Sequence, residues 1–186
     1  VDIPLHDTYF VVAHFHLIMA GAALFGVFGA TAYWFPKMFG RLMSDRLGKL
    51  HFWFTFVAYY CVFFPMHYIG IAGHMRRIYT STEYEFLKPL QPINEFITLS
   101  AFVLGASQLI FFVNFFWSAF KGQKASENPW RAAGLEWTTP SPPPHGNWVG
   151  EIPEVHRWPY DYSVPDAHPD FIAQTDASPV GSRAGH

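Results

Sequence analysis

Residues 6 to 16, His6-Asp7-Thr8-Tyr9-Phe10-Val11-Val12-Ala13-His14-Phe15-His16, gather metal-capable side chains at the mouth of a long apolar run. His14 and His16 lie inside that run. A histidine at lipid depth is costly and marks a functional site by default. On an α-helix each residue turns about 100°, so His14 and His16 point about 200° apart. They cannot chelate one ion between them, but each can serve a separate partner on its own flank. Two readings stand. Both histidines hydrogen-bond to neighbouring helices, or each is the axial ligand of its own haem, for which imidazole is suited. In the second reading Phe15 packs between the two sites.

Three further groups have chemical capacity. Arg76-Arg77 is either a solvated pair or a carboxylate receptor, since the guanidinium fork matches a carboxylate. Haem propionates would be such carboxylates. His6-Asp7 is either a simple helix start or part of a site for a hard divalent ion such as Mg²⁺ or Mn²⁺, completed by water. Asp2 is a cap or a propionate partner. His51, His67 and His74 get no role from spacing and read as hydrogen-bonded structural groups.

The elements that must hold these residues are apolar. The chain of 186 residues is 51% hydrophobic and 19% aromatic, with Phe occurring 20 times. Its mean hydropathy is only +0.10, which calls for an apolar part joined to a polar part. Apolar runs over about 9–35, 50–71 and 94–120 are each long enough to cross a bilayer, which takes about 20 residues. Gly21, Gly26 and Gly29 with nearby alanines give the first run a small-residue surface for close helix or cofactor approach. Tyr33-Trp34-Phe35 closes it as an interfacial belt, and Pro36 follows. Pro65 kinks or ends the second run. Asn94 is a candidate cap for the third, whose strongly polar interior groups are Gln108 and Asn114. These runs make residues 1–120 an all-α membrane part. Residues 121–186 form an extended tail rich in Pro and Trp, and Trp130, Trp137, Trp148 and Trp158 are its expected anchors on a partner surface.

Net charge is −2, so the basic footprint of a nucleic-acid partner is missing. The single cysteine, Cys61, excludes an internal disulfide and a cysteine-based zinc cluster. Lys37, Arg41, Arg46 and Lys49 in the first loop, and Lys121, Lys124 and Arg131 after the third run, share one side. The positive-inside rule makes that side, and the tail, cytoplasmic. His6, Asp7, His14 and His16 then lie toward the outer face. Arg76 and Arg77 also fall there, against the rule, and ask for a local anion.

Leu5 through His16 closely resembles the tenth transmembrane helix of subunit I of haem–copper cytochrome c oxidases. Trp34-Phe35-Pro36, Lys49-Leu50-His51-Phe52, Phe63-Phe64-Pro65-Met66-His67 and Arg76-Arg77 continue the likeness. It covers about residues 1–120, equivalent to the last three of the twelve helices of the oxidase core. The tail, near Pro159-Tyr160-Asp161-Tyr162, looks like that of bacterial versions. The resemblance implies that His14 ligates the high-spin haem of the oxygen-reducing centre and His16 the low-spin haem, with Phe15 between them. His6 and Asp7 would share a Mg or Mn site with an acidic residue of subunit II. Arg76 and Arg77 would bind haem propionates, with Asp2 in the same network. Leu17, where many members have Tyr, and His74-Met75, where Pro often precedes the arginines, depart from the pattern at positions that are not ligands.

The same resemblance sets what must come from elsewhere. The copper ligands, the second axial ligand of the low-spin haem and the proton channels belong to earlier helices of the family. The chain is expected to be the C-terminal part of a split or truncated subunit I. It would be completed by the N-terminal part, with subunits II and III and membrane lipid as neighbours. Two haems, of haem A type, copper, and Mg or Mn are the implied cofactors. The implied activity is electron transfer from cytochrome c to O₂, coupled to proton pumping, in a bacterial inner membrane. A quinol-oxidising relative and a non-catalytic assembly subunit are the alternatives. The Asp that follows His6 favours cytochrome c as donor. A histidine-lined metal transporter would need ligands on one face, which the spacing of His14 and His16 opposes.

Overall fold

The computed structural model describes residues 2–160 and 172–177. Among these, regular structure is helical, and the two β-bridges, Thr8 with Met75 and Arg41 with Lys124, are isolated. The helices are α1 (Asp2–Leu5), α2 (Tyr9–Phe15), α3 (Gly21–Phe39), α4 (Asp45–Ile71) and α5 (Gln91–Lys121). A π-helical turn, His16–Ala20, joins α2 to α3, and a 3₁₀ turn, Glu85–Leu90, leads into α5. Three stretches are long and apolar enough to cross a membrane: Tyr9–Phe39, Asp45–Ile71 and Glu85–Lys121. At 1.5 Å per residue even the shortest exceeds the roughly 30 Å of a hydrocarbon core. The chain is an all-α, multi-pass membrane protein.

The boundaries differ from those read off hydropathy, for local reasons. The first span was expected to close before Pro36, but the helix continues to Phe39 with Pro36 inside it. Gly40, at φ +64°, ends it, since a left-handed residue is a common stop after the last helical turn. A proline can lie inside a long helix at the cost of one backbone hydrogen bond. The same holds for Pro65, which lies inside α4. That helix begins at Asp45, in what reads as a basic loop, because Asn114 braces the residue before it. The Asn114 Oδ1 accepts from the Ser44 N–H at 3.0 Å, and its Nδ2 donates to the Ser44 carbonyl at 3.0 Å. Asp45 and Lys49 pair at 2.7 Å across the first turn. Asn94 lies within α5 instead of capping it; the helix starts at Gln91, directly after the 3₁₀ turn.

The described chain forms two compact units. The first comprises Val1–Thr31 and Ser44–Trp117. Its core is Val62, Ile69 and Ile97, with Tyr9, Phe63, Met66, Ile93 and Leu104 packed around them. Gly70 sets the approach of α2 to α4: a Cβ there would overlap the backbone of Phe10. Polar pairs tie α4 to α5. His51 Nε2 meets Gln108 Oε1 at 3.2 Å, and Thr55 Oγ1 meets Ser107 Oγ at 3.1 Å. Interhelical bonds of this kind are worth about 0.6–2 kcal/mol in a bilayer.

The second unit comprises Ala32–Met43 and Ser118–His186. Tyr33 is its organising residue. Trp130 Nε1 donates to the Tyr33 carbonyl and Trp137 Nε1 to the Tyr33 hydroxyl, each at 2.8 Å. Lys37 Nζ lies 5.1 Å from the centre of the Trp137 ring and donates to the Thr139 carbonyl at 2.6 Å. Trp130 and Trp137, two of the tryptophans expected to anchor on a partner, thus bond within the chain itself, and for the buried Trp137 the acceptor is needed because its indole N–H is buried with its ring. Trp148 is also bonded within the tail, to Thr138 Oγ1 at 3.1 Å, whereas Trp158 remains exposed. Asp161 and Tyr162, part of the tail's family likeness, lie outside the described residues.

Candidate functional site

At the start of the first span, backbone and side-chain bonds pin the lead and present the histidines. Thr8 caps α2, its hydroxyl accepting from the Phe10 N–H at 3.2 Å. The lead then runs antiparallel to the loop after α4. The Tyr9 N–H donates to the His74 carbonyl at 3.0 Å, and the Arg76 N–H to the Asp7 carbonyl at 2.9 Å. Side chains reinforce this. Arg76 Nε donates to Asp7 Oδ1 at 2.7 Å, and Arg76 Nη2 lies 2.6 Å from the same oxygen. Asp7 and Arg77 both sit in the left-handed region, at φ +56° and +64°, a conformation that costs energy in non-glycine residues and recurs at functional sites. Arg76 holds the Asp7 carboxyl below its ordinary range, first by hydrogen bonding and then by charge.

Asp7 Oδ2 lies 3.5 Å from His6 Nε2. Adjacent ligands of an octahedral Mg²⁺ at about 2.1 Å stand roughly 3 Å apart, so this pair stands about half an ångström wider than neighbouring ligands of one small ion. Among the described residues no cluster of three or more His, Cys, Asp or Glu completes such a site. Water or another chain would fill the remaining positions. Asp2 opens α1, and its side chain lies outside the described part.

His16 and His14 differ in environment. His16 begins the π turn. Its Nδ1 lies 2.8 Å from the Val12 carbonyl, which can only accept, so Nδ1 carries the proton and Nε2 the lone pair. This arrangement matches a metal-ligating histidine, whose second nitrogen donates to a carbonyl and fixes the tautomer. The His16 ring stacks on Phe63, with centroids 4.6 Å apart and planes 8° from parallel. Tyr59 donates its hydroxyl to the His16 carbonyl. The Phe15 ring lies tilted against the His16 ring, with centroids 4.1 Å apart. His14 is exposed, and no hydrogen bond or ring contact engages it among the described residues. Arg77 projects from the same loop as Arg76.

The sequence profile described as Cytochrome C and Quinol oxidase polypeptide I matches residues 1–103. The chain belongs to this family. Similar proteins include the alternative cytochrome c oxidase subunit 1 of Bradyrhizobium diazoefficiens, 49% identical over 187 residues, covering 100% of this chain and 32% of that one. Cytochrome c oxidase subunit 1 of Synechocystis sp. is 47% identical over 163 residues, 88% of this chain and 28% of the relative. The subunit 1 of Thermostichus vulcanus is 45% identical over 164 residues, 88% and 29%. The chain therefore spans about a third of the length of the curated relatives it matches.

Membership in the oxidase family makes haem and copper the cofactors to test against the residues present. The His16 imidazole fits a haem iron: tautomer set, one nitrogen open, ring plane held. The exposed and uncommitted His14 fits a ligand to a group outside this chain. Residues that spacing did not reveal are Tyr59, Phe63 and Gly70 on α4. Tyr59 and Phe63 are four apart and so share a face, but nothing in the sequence pairs that face with His16. The three histidines read as structural are engaged by other side chains or carbonyls. His51 bonds Gln108, His67 Nδ1 lies 3.2 Å from the Phe64 carbonyl, and His74 packs edge-on against Tyr9.

Proposed function

We propose that this oxidase subunit I chain is the C-terminal part of a catalytic core that passes electrons from cytochrome c to O₂ and moves protons across a bacterial inner membrane. His16 ligates the low-spin haem through Nε2, and His14 ligates the high-spin haem. The haems, when bound, supply the electron relay and the oxygen-reducing iron. The residues of this chain orient them. Val12 and Phe63 fix the His16 imidazole, and Phe15 packs between the two sites. Arg76 and Arg77 receive propionates, with Asp2 in the same network. His6 and Asp7 hold Mg²⁺ or Mn²⁺ together with subunit II. Copper ligands come from the earlier helices of subunit I, and subunit III completes the assembly. The tail faces the cytoplasm.

One observation carries this reading: His16, at lipid depth, has Nδ1 committed to Val12 and Nε2 open, two residues from an exposed His14. The names of the relatives support cytochrome c over quinol as donor, as does the Asp7 that follows His6. The test is His16→Ala in the assembled complex. Loss of the low-spin haem absorption band is expected; an unchanged band would refute the assignment. Purified complex that oxidises quinol but not cytochrome c would move the chain to the quinol-oxidising branch. Complex without bound haem would make it an assembly subunit.

A further inference from the structure

Resting on that reading of His16, we infer that Tyr59 is a positioning residue that sets the orientation of the axial imidazole, and so the potential of the low-spin haem. In the π turn His16–Ala20 the Gly21 N–H reaches back five residues to the His16 carbonyl. A turn of this kind is rare, occurs mostly as a single bulge inside an α-helix, and is frequent at functional sites. A turn that is rare in helices is steadied by a lateral tie. Tyr59 supplies it by donating its hydroxyl to the His16 carbonyl. Gly21 makes room: a Cβ there would stand 3.1 Å from that hydroxyl. Tyr59 is 3% exposed and wedged edge-on against Phe25 at 5.7 Å. One turn further along α4, Phe63 stacks on the His16 ring and also packs on Tyr59, at 4.8 Å. The two residues hold His16 at two points, its backbone oxygen and its ring plane. The Nδ1 bond to Val12 is the third restraint, and together they aim Nε2.

Tyr59→Phe in the assembled oxidase removes the tie and keeps the wedge. The expected result is unchanged haem content, with a shifted and broadened low-spin electron paramagnetic resonance signal and a shifted midpoint potential. Gly21→Ala displaces the hydroxyl from the other side and is expected to move the same signal with Tyr59 intact. It decides the matter if Tyr59→Phe fails to assemble. Tyr60→Phe, the neighbour with no bond to His16, serves as the control and leaves the signal in place. A signal and potential unmoved by Tyr59→Phe and Gly21→Ala would overturn the positioning role. If His16→Ala removes the low-spin band in the same preparations, that failure leaves the ligand assignment standing. If the band survives His16→Ala, the ligand assignment falls and the positioning role falls with it.

Discussion

Arg76 places two nitrogens on one oxygen of Asp7, Nε at 2.7 Å and Nη2 at 2.6 Å. The second carboxylate oxygen is left 3.5 Å from His6 Nε2. One aspartate thus joins a proposed haem-edge arginine to a proposed metal site. The backbone of the same residues makes the same connection, Arg76 N–H to Asp7 carbonyl.

This link makes the charges at the proposed haem edge interdependent, with a sign that can be tested. A nearby positive charge favours the reduced haem. Arg76→Gln is expected to lower the low-spin midpoint potential. Asp7→Asn leaves Arg76 uncompensated and is expected to raise it. A spectroelectrochemical titration of both variants checks the pair. Shifts of the same sign would show that the two residues do not act on the haem as a couple.

The pH dependence follows from the direction of the Asp7 shift. Its carboxyl is held below the ordinary aspartate value by Arg76, so the ion pair persists where ordinary aspartates already take up a proton. Its contribution is lost only as pH falls further, through the lowered value. Infrared difference spectra of complex labelled at aspartate carboxyls should show this group still ionised where ordinary aspartates protonate. In Arg76→Gln it should titrate with the others.

Gly70 is where α2 and α4 come closest. Gly70→Ala puts a methyl group into the backbone of Phe10 and forces the helices apart. Overpacking of this kind costs about 1–3 kcal/mol. A lowered Tm of the solubilised complex is expected.

Within the second unit, Tyr33→Phe removes the acceptor of the Trp137 indole N–H. Trp137 is 3% exposed, so the orphaned donor costs about 1–3 kcal/mol. Limited proteolysis of the tail should accelerate by roughly tenfold for each 1.4 kcal/mol lost. An unchanged digestion rate would mean that Trp137 is held by its ring contacts alone.

Much of the fold was legible because hydrocarbon imposes few choices. Apolar length alone located the three spans, and Thr8 took the cap position that its type suits. The ends were harder to read. Pro36 looked like a stop and Gly40 was the stop. The start of α4 at Asp45 depends on Asn114, far away in the chain. Trp130 and Trp137 read as anchors for another chain because their own acceptor, Tyr33, is remote in sequence.

At the opening motif the division is clear. Residue type and spacing by themselves determined that His14 and His16 leave the helix on different sides and that His6 and Asp7 stand together at its mouth, because helical geometry follows from the sequence interval. Only the tertiary structure decided which nitrogen of His16 is open, that a π turn begins at that residue, and that Tyr59 and Phe63 hold it. It also decided that Asp7 belongs to Arg76 as well as to His6. The contacts made by Tyr59, Phe63 and Arg76 join residues more than forty positions apart, and they arise from how helices pack, which no local pattern encodes.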